Sequence, residues 1–405
     1  MTREPGEESL LSKILIASVV IILLLVMGSC VFFIYNYLQP SGSPVATATP
    51  TPTASAAPTT QFPSVTATPT PTAQASTGAN VTVNPDESGV YEQDTDVTAY
   101  DTQYTSPQFS DIGIWNNYIV YDMLDGNGVN YSMLYNVNNQ QTNMVDSGTV
   151  FSDGAIADGK LVLYYPLNGN KIYLDNIQTG EHDLTSMNDN SPRNSITMSD
   201  TKLAYYEDIG QTNAAGVFVH DYSIYVFDLA SGQTASVIDN IPKPLDINMY
   251  DNELVYTVQD SNGQGSDVYY LDLSVQNPTP KMISVHAGDN NNARIYGNWV
   301  VYYSDWDGSN HIYLYNIQTG QTTEPAPNSQ QQSADIYGTT VVYDDNRYGN
   351  WDIFSYDVNT HQETQLTNEP HDQEHPVIYG NQVAYFDDRG GNNDWQIYTM
   401  TLPSS

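Results

Sequence analysis

Val341-Val-Tyr-Asp-Asp-Asn-Arg-Tyr-Gly-Asn-Trp-Asp-Ile-Phe-Ser-Tyr-Asp-Val358 decides the fold, because its pattern recurs along most of the chain. Six other repeats contain a counterpart of Tyr343, namely Tyr121, Tyr164, Tyr205, Tyr256, Tyr302 and Tyr385. Successive tyrosines are 41 to 51 residues apart. A period of about 40 residues with strand-like content is typical of a β-propeller with four-stranded blades. The sequence therefore predicts an all-β, seven-bladed β-propeller of four-stranded antiparallel blades, with these tyrosines packed between blades.

The last repeat lacks a fourth strand, since its third strand, Gln396–Leu402, is followed by only three residues. Near the other end of the repeats, Asp101-Thr-Gln-Tyr-Thr105 is similar to the fourth strand of the sixth repeat, Glu363-Thr-Gln-Leu-Thr367. We therefore predict a propeller over residues 98–405 that is closed by strand 101–105. Such a closure would leave no open sheet edge between the first and last blades.

The N-terminal part of the chain has a different composition. Residues 14–38 are almost entirely apolar, and as a helix these 25 residues would rise about 37 Å, enough to cross a membrane. Arg3 and Lys13 precede this segment, so the positive-inside rule predicts a cytoplasmic tail at 1–13. Residues 39–97, rich in Pro, Thr, Ser and Ala, predict a disordered extracellular stalk. The predicted localisation is a single-pass cell membrane protein with a cytoplasmic N-terminus and an extracellular propeller.

Charge and cysteine content exclude several classes of function. The chain has 47 acidic and 11 basic residues, and its formal net charge of −36 repels nucleic acid. The one cysteine, Cys30, permits neither a disulfide framework nor a cysteine-rich zinc site.

The repeat resembles the TolB-type propeller repeat, and the layout is similar to that of archaeal cell-surface propeller proteins. The residues that carry the resemblance are Ile378-Tyr-Gly-Asn381, Val341–Ile353 and Glu363-Thr-Gln-Leu-Thr367, and it covers roughly residues 98–403. The resemblance implies the fold and leaves the function open, because propellers support binding, scaffolding and catalysis alike. Prolyl-oligopeptidase relatives pair such propellers with a hydrolase domain, and no Gly-x-Ser-x-Gly motif is present here.

Acidic loops between the second and third strands are candidates for calcium binding, because calcium takes six to eight oxygen ligands from closely spaced carboxylates and carbonyls. Plain turn chemistry is the alternative, since Asp, Asn and Gly also suit tight loops. The candidate calcium ligands are Asp305, Asp307, Asp344, Asp345, Asp352, Asp387, Asp388 and Asp394. No other cofactor is expected.

His371-Asp-Gln-Glu-His375 matches the zinc-peptidase pattern His-x-x-Glu-His, but Pro370 and Pro376 bracket it and oppose a helix. As extended chain, it would point His371, Gln373 and His375 towards the mouth of the channel. A metal at His371 and His375 would resemble the arrangement in propeller-fold oligogalacturonate lyases.

Sequons at Asn80 and Asn130 are candidate glycosylation sites. The enlarged loop 207–221 predicts a small extra hairpin.

Three functions are consistent with the sequence. The first is a non-catalytic binding or scaffold module, without enzymatic activity, whose outward loop face binds a protein or glycan of the cell envelope. The second is a metal-dependent enzyme, similar to a polysaccharide lyase, with a site at the channel mouth. The third is a passive structural component of the cell surface. We expect the first.

Overall fold

The computed structural model describes residues 94–98, 108–147, 150–165, 170–185, 193–214, 216–260, 263–327, 329–391 and 395–402. The predicted tail 1–13, the predicted span 14–38 and the predicted strand 101–105 lie outside these residues, as does the predicted stalk 39–97 except for its last four residues.

The described residues form seven four-stranded antiparallel sheets, each following the order of its strands along the chain except the last. The first blade contains β2 (Gln108–Trp115), β3 (Tyr118–Leu124), β4 (Asn130–Asn136) and β5 (Gln141–Ser147). The second contains β6 (Val150–Ala157), β7 (Lys160–Tyr165), β8 (Lys171–Asn176) and β9 (His182–Leu184). The third contains β10 (Asn194–Met198), β11 (Lys202–Asp208), β14 (Tyr222–Asp228) and β15 (Gln233–Ile241). The enlarged loop of this blade forms the expected hairpin, with strands β12 (Gln211–Thr212) and β13 (Phe218–Val219).

The remaining blades repeat the same arrangement. The fourth contains β16 (Pro244–Tyr250), β17 (Glu253–Gln259), β18 (Ser266–Asp272) and β19 (Lys281–Met282). The fifth contains β20 (Asn290–Tyr296), β21 (Trp299–Ser304), β22 (His311–Asn316) and β23 (Thr322–Thr323). The sixth contains β24 (Gln331–Tyr337), β25 (Thr340–Asp345), β26 (Asp352–Asp357) and β27 (Gln362–Gln365). The seventh contains β28 (Gln373–Tyr379), β29 (Gln382–Asp387), β30 (Gln396–Thr401) and β1 (Thr95–Asp96). The predicted seven-bladed propeller of antiparallel four-stranded blades is confirmed.

The first strands of the blades form the wall of a central channel. Each one contacts the first strands of the two neighbouring blades, and β28 contacts β2, so the ring is closed. Side chains of one inner strand accept hydrogen bonds from the backbone of the next. Asn248 Oδ1 accepts from the Ile295 N–H at 3.1 Å, and Asp335 Oδ2 accepts from the Ile378 N–H at 2.8 Å. These bonds satisfy inner-edge donors that no strand covers.

Buried tyrosines fill the space between blades, as the repeat predicts. Their accessible fraction is at most 2% at six of the seven repeat positions, those of Tyr121, Tyr205, Tyr256, Tyr302, Tyr343 and Tyr385. The seventh, Tyr164, is half-buried and its hydroxyl donates to Asn170 Oδ1 at 2.7 Å. Burying an aromatic ring of this size removes a large apolar area from water, so the recurring tyrosine stabilises each blade interface.

The fourth strand of the last blade lies N-terminal to the predicted segment. Thr95 pairs with Thr399 and Asp96 with Tyr398. In this register Asp94-Thr-Asp-Val-Thr98 takes the place that Glu363-Thr-Gln-Leu-Thr367 has in the sixth blade. The Val97 N–H donates to the Ile397 carbonyl at 2.8 Å, as the Leu366 N–H does to the Ile353 carbonyl at 2.7 Å. The chain contains two similar Asp-Thr-x-x-Thr segments seven residues apart, and the structure uses the first.

Among the described residues no helix has the length and hydrophobicity that a membrane span requires. This finding does not fit the predicted single-pass membrane localisation with a cytoplasmic N-terminus and an extracellular propeller, and it corrects that prediction. The described part of the chain is built of strands of two to nine residues, whose apolar positions face neighbouring blades.

Candidate active site at the channel mouth

Irregular backbone rings one end of the channel, where the inner strands begin. In all seven blades the pairing of the first and second strands shifts register near this end. At four of the bulges a non-glycine residue adopts a positive φ, with 44° at Asp111, 48° at Ser195, 54° at Asn292 and 54° at His375. Side chains without glycine's freedom rarely adopt this conformation, and bulges and strained backbone are frequent next to active sites.

The bulges of four consecutive blades surround a cavity of about 510 Å³ at this mouth. Its polar wall comes from the inner strands of the fifth, sixth, seventh and first blades and includes Arg294, Asp335, Glu374, His375 and Asp111. Its apolar wall consists of aromatic and aliphatic side chains. They are Phe109, Ile112, Ala334, Pro376, Val377, Phe386 and Trp395. A concave site with a few converging polar groups on an aromatic wall is the usual form of a small-molecule or substrate site.

The acids of the cavity have raised pKa values because its walls desolvate them. Burial, together with repulsion from Asp344 and Asp372, raises the pKa of Glu374 to about 7. Burial also raises the pKa of Asp111, although the nearby His375 opposes the shift. The pKa of Asp335 is raised by burial, against hydrogen bonds from backbone amides and the charge of Arg294. These carboxyl groups can therefore hold protons at a higher pH than ordinary acids.

The pKa of His375 moves in the opposite direction. Its lowering comes mainly from desolvation and secondly from the Arg294 charge, and Asp111 opposes both. The imidazole is open to solvent at the mouth, with 57% of its side chain accessible, and its Nδ1 lies 3.7 Å from Glu374 Oε2. An imidazole with a lowered pKa beside a carboxyl group with a raised pKa is a candidate pair for general base and general acid catalysis.

Asp344 lies behind this wall and holds its shape. Its side chain accepts backbone hydrogen bonds from Gln332 at 3.1 Å, Ser333 at 2.8 Å and His375 at 3.1 Å. Burial raises the pKa of Asp344 to about 6, and the three amides oppose the shift. Asp344 thus joins the bulges of β24 and β28. Asp344 is one of the predicted calcium ligands, and its hydrogen-bond partners here are these three backbone amides.

The other predicted calcium ligands are distributed over three blades and engage protein groups. Asp345 and Asp387 pair with Arg347 and Arg389, and both carboxylates are fully buried. Asp305 accepts the Asp289 N–H at 2.7 Å, and Asp307 lies 3.3 Å from His311. Asp352 accepts a hydrogen bond from Gln365 at 3.2 Å, and burial raises its pKa to about 7. Asp388 is buried near the end of β29. Asp394 lies outside the described residues.

The two predicted histidine ligands occupy different surroundings. His375 faces the cavity, whereas the ring of His371 lies against Gly391, with 3.2 Å from its Cε1 to the position a Cβ would take there. Gln373 between them is fully buried and donates to the His371 carbonyl at 2.7 Å. The bulge between Glu374 and Val377 breaks the alternation on which the extended-chain expectation relied.

In the part of the chain that the structure describes, no group of three or more His, Cys, Asp or Glu side chains is placed to hold a metal ion. Metal binding at His371 and His375 and calcium binding at the acidic loops stay predictions. Glycosylation does as well: Asn130 begins β4, and Asn80 lies outside the described residues.

Sequence reasoning missed Asp111, Arg294, Asp335 and Glu374. A signal for them exists in the repeat: each lies one to four residues before the apolar–aromatic pair that ends an inner strand, as in Ile378-Tyr379 and Ile336-Tyr337. The rest of an inner strand is buried between blades, so polar residues just before this pair indicate the wall of the channel. The bulges in the same strands have no comparable signature in the sequence.

Comparison with protein-family models gives no match. Comparison with curated proteins also gives none. Solved structures do match. The uncomplexed acylaminoacyl peptidase of Pyrococcus horikoshii matches 72% of this chain with 50% of its own, at 11% identity and a TM-score of 0.56. An oligogalacturonate lyase in complex with manganese matches 79% of this chain with 95% of its own, at 14% identity and a TM-score of 0.56.

TolB from Acinetobacter baumannii matches 72% of this chain with 78% of its own, at 16% identity and a TM-score of 0.38. The chain spans about half the length of the peptidase that it matches. At these identities the matches show the fold alone. They include TolB and other propellers, as the TolB-type repeat implies, whereas the association with archaeal cell surfaces stays a prediction.

The expectation of a non-catalytic binding or scaffold module without enzymatic activity is contradicted. Several of the matching propellers belong to enzymes, a peptidase and a lyase among them. The physical basis of the error is visible in the cavity. The inner strands bring an arginine, a histidine and three acids together in one cavity, and no sequence motif indicates this grouping.

Proposed function

We propose that the channel-mouth cavity is the active site of an enzyme that cleaves a carboxylated polysaccharide by β-elimination. One observation carries the proposal: a single cavity of about 510 Å³ combines a guanidinium, an imidazole and three carboxyl groups beside an aromatic wall. The resemblance in fold to an oligogalacturonate lyase supports the substrate class, because that protein covers 79% of this chain.

Arg294 would bind the carboxylate of the sugar. A guanidinium recognises a carboxylate through two parallel hydrogen bonds, and burial strengthens the attraction. The half-buried Arg294 belongs to β20 and lines the cavity together with Asp335. During elimination negative charge develops on the carboxylate, so the same contact stabilises the transition state.

His375 and Glu374 would move the protons. Neutral His375 takes the proton from the carbon next to the carboxylate, and the electron pair of that C–H bond forms a carbon–carbon double bond. The glycosidic C–O bond then breaks, its electron pair stays on the oxygen, and protonated Glu374 gives that oxygen a proton. Asp111, whose charge opposes the lowering of the His375 pKa, would orient the imidazole. General acid–base catalysis of this kind contributes about 10²–10⁴-fold to a rate.

Phe109, Phe386 and Trp395 would hold the sugar ring, since aromatic faces pack against the apolar faces of sugars. The lyase neighbour was solved in complex with manganese. The described side chains at this mouth do not form a three-ligand metal group, so every step above uses this chain's own acids and bases.

The test is incubation of the protein with oligogalacturonate while the ultraviolet absorbance of the unsaturated product is recorded. We expect activity that falls about 10²-fold or more in His375→Ala. His361→Ala is the matched control, because His361 is also exposed, also has a positive φ of 59°, and lies at the opposite end of a blade. Activity should decline above pH 7, where Glu374 loses its proton, and at acidic pH, where His375 gains one.

Substrate charge separates binding from chemistry. Methyl esterification of the polymer removes the charge of the carboxylate. With esterified substrate, Arg294→Lys and the wild type should therefore have nearly equal KM values. With unesterified substrate, KM should be higher in the variant. The proposal fails if uronate polymers give no unsaturated product, or if His375→Ala and His361→Ala retain equal activity.

A further inference from the structure

Aromatic rings line the opposite mouth of the channel, where the inner strands end. In five consecutive blades the last inner-strand residue is aromatic, and these form the aromatic arc: Tyr250, Tyr296, Tyr337, Tyr379 and Trp115. Successive ring centroids are 4.4, 4.5, 4.6 and 6.2 Å apart. All five side chains are half-buried, so the arc forms a continuous aromatic wall that solvent still reaches.

The tyrosine hydroxyls of the arc are joined to one another. Tyr296 is hydrogen-bonded to Tyr250 and Tyr337, and Tyr337 is hydrogen-bonded to Tyr379. Burial and these neighbours raise the pKa of Tyr379 to about 12, so its hydroxyl stays protonated at neutral pH. The aromatic arc therefore brings several phenolic oxygens together on one side of the mouth.

The arc is open at the second and third blades, where Ala157 and Ser199 stand in place of the aromatic residue. The arc and this gap enclose a cavity of about 250 Å³. Asp200, Asp251 and Asp335 also line it, and none of the described lining residues is Lys, Arg or His.

The charge at the gap is only partly neutralised. Lys160 binds Asp158 at 2.6 Å, beside the cavity. Asp200 has a raised pKa, caused first by burial and then by the charges of Asp158 and Asp251, and Lys160 opposes the shift. Mutual repulsion of carboxylates is relieved by a bound cation.

We propose that this second mouth binds an alkylammonium group, with the aromatic arc against its methyl or methylene groups and Asp200 and Asp251 opposite its charge. Aromatic faces attract ammonium ions through their negative π surface, and cages of aromatic rings are a common way to hold alkylated amines. The net charge of −36 favours the approach of a cation. A cavity of about 250 Å³ accommodates an ion with a few carbon atoms. This proposal does not rest on the proposed enzymatic function, and Asp335 lines both cavities.

Tetramethylammonium chloride is the probe, and the readout is the ring-current shift and line width of its methyl proton resonance at constant ionic strength. We expect saturable binding to the protein, weakened at least about fivefold in Asp200→Asn and Asp251→Asn, and weakened further in Tyr379→Leu. The two Asp→Asn changes lie in turns between strands and remove no buried contact, so they keep the fold intact. The matched control is Asp239→Asn, an exposed aspartate on outer strand β15.

The neutral isostere neopentyl alcohol distinguishes a cation site from an apolar pocket. Equal affinity for the alcohol overturns the proposal, as does failure to bind tetramethylammonium, or binding that Asp200→Asn and Asp251→Asn leave unchanged. Binding that requires the charge of the probe and the carboxylates of the cavity supports it. Because the readout is binding at the second mouth, the result does not depend on whether the protein has lyase activity.

Discussion

Replacing Arg389 by Met should open the ring at its seam. Arg389 connects β29 to the N-terminal segment: its Nη2 donates to Asp387 Oδ2 at 2.7 Å, and it also binds Asp94. The guanidinium carbon lies 3.5 Å from the centroid of the Tyr398 ring. Tyr385 donates to the same Asp94 side chain at 2.9 Å. A methionine fills a similar volume and provides none of the charge.

The loss in free energy of unfolding comes from the carboxylate that remains without its partner. Asp387 is fully buried, whereas Asp94 is 18% accessible. Removing one partner of a buried ion pair costs about 3–5 kcal/mol, because the other charge is left uncompensated. Water can reach Asp94, so we expect the lower part of this range, about 3 kcal/mol, and loss of the cation–π contact adds about 1 kcal/mol. For a domain of this size about 4 kcal/mol corresponds to a fall in melting temperature of about 8 °C.

The sixth blade provides the matched control. Arg347 binds Asp345 at 2.7 Å and Glu363 at 2.7 Å, and its guanidinium lies over Phe354 at 4.4 Å. There β27 follows β26 directly through a turn, whereas β1 and β30 are separated by about 300 residues of sequence. Arg347→Met should lower the melting temperature to a similar extent but keep β27 in place. Arg389→Met should in addition increase amide hydrogen exchange selectively at residues 94–98.

The double variant Arg389→Met/Asp387→Asn removes the stranded charge and should recover part of the lost stability, which a double-mutant cycle measures. If amide exchange at 94–98 is the same in Arg389→Met and in the wild type, the arginine does not hold the seam. Equal exchange at 94–98 and at β27 in the two single variants would refute the argument from connectivity.

Two further predictions concern the mouth and a loop. Glu374→Gln should stabilise the protein at pH 8 by about 2 kcal/mol, because the native pKa of about 7 lies above the ordinary value of 4.5 and charging Glu374 in the native state is costly. The gain should shrink between pH 7 and 4.5, as melting curves of the variant and the wild type against pH would show. Gly265→Ala would place a Cβ 2.8 Å from the Gly288 carbonyl oxygen, so we expect a loss of about 2 kcal/mol in urea unfolding. Gly263→Ala meets no atom within 4 Å and should lose only the positive-φ cost, about 1 kcal/mol.

The sequence predicts the propeller well because the feature that determines it is periodic. One tyrosine per blade interface, such as Tyr343 with 0% accessibility, repeats along the chain and needs no knowledge of neighbours distant in sequence. Closure is harder to predict, because Asp94–Thr98 and Asp101–Thr105 have nearly the same pattern. The partner that distinguishes them, Arg389, is 295 residues from Asp94. The sequence pattern alone does not show that two residues so far apart in the chain are in contact.

The site at the mouth is less predictable for a different reason. Its polar residues come from four inner strands, and each of these strands contains a bulge beside the cavity. In a regular strand His371, Gln373 and His375 would share a face. The bulge gives His375 a positive φ and leaves Gln373 buried in the blade, so a local rule of alternation gives the wrong partners.

The arginines provide an independent argument for chemistry at the mouth. The structure describes four of them, and three act in the same structural way. Arg193, Arg347 and Arg389 each lie over an aromatic ring, close to an acid and to one of the repeating tyrosines Tyr205, Tyr343 and Tyr385.

Arg294 occupies a different place in the fold. It belongs to an inner strand, and it lines a cavity that solvent reaches. Burial lowers its pKa, and Asp335 only partly opposes the shift. Keeping a desolvated cation at such a position costs stability that the blade interfaces do not require. A charged residue that lowers stability is kept where a functional site needs its charge. In a cavity, the partner that a guanidinium would bind is an anionic group of a substrate. The same reasoning predicts that Arg294→Met, with Asp335→Asn to avoid a stranded carboxylate, should raise the melting temperature while abolishing turnover of carboxylated substrate. A double variant that loses stability and keeps its activity would contradict it.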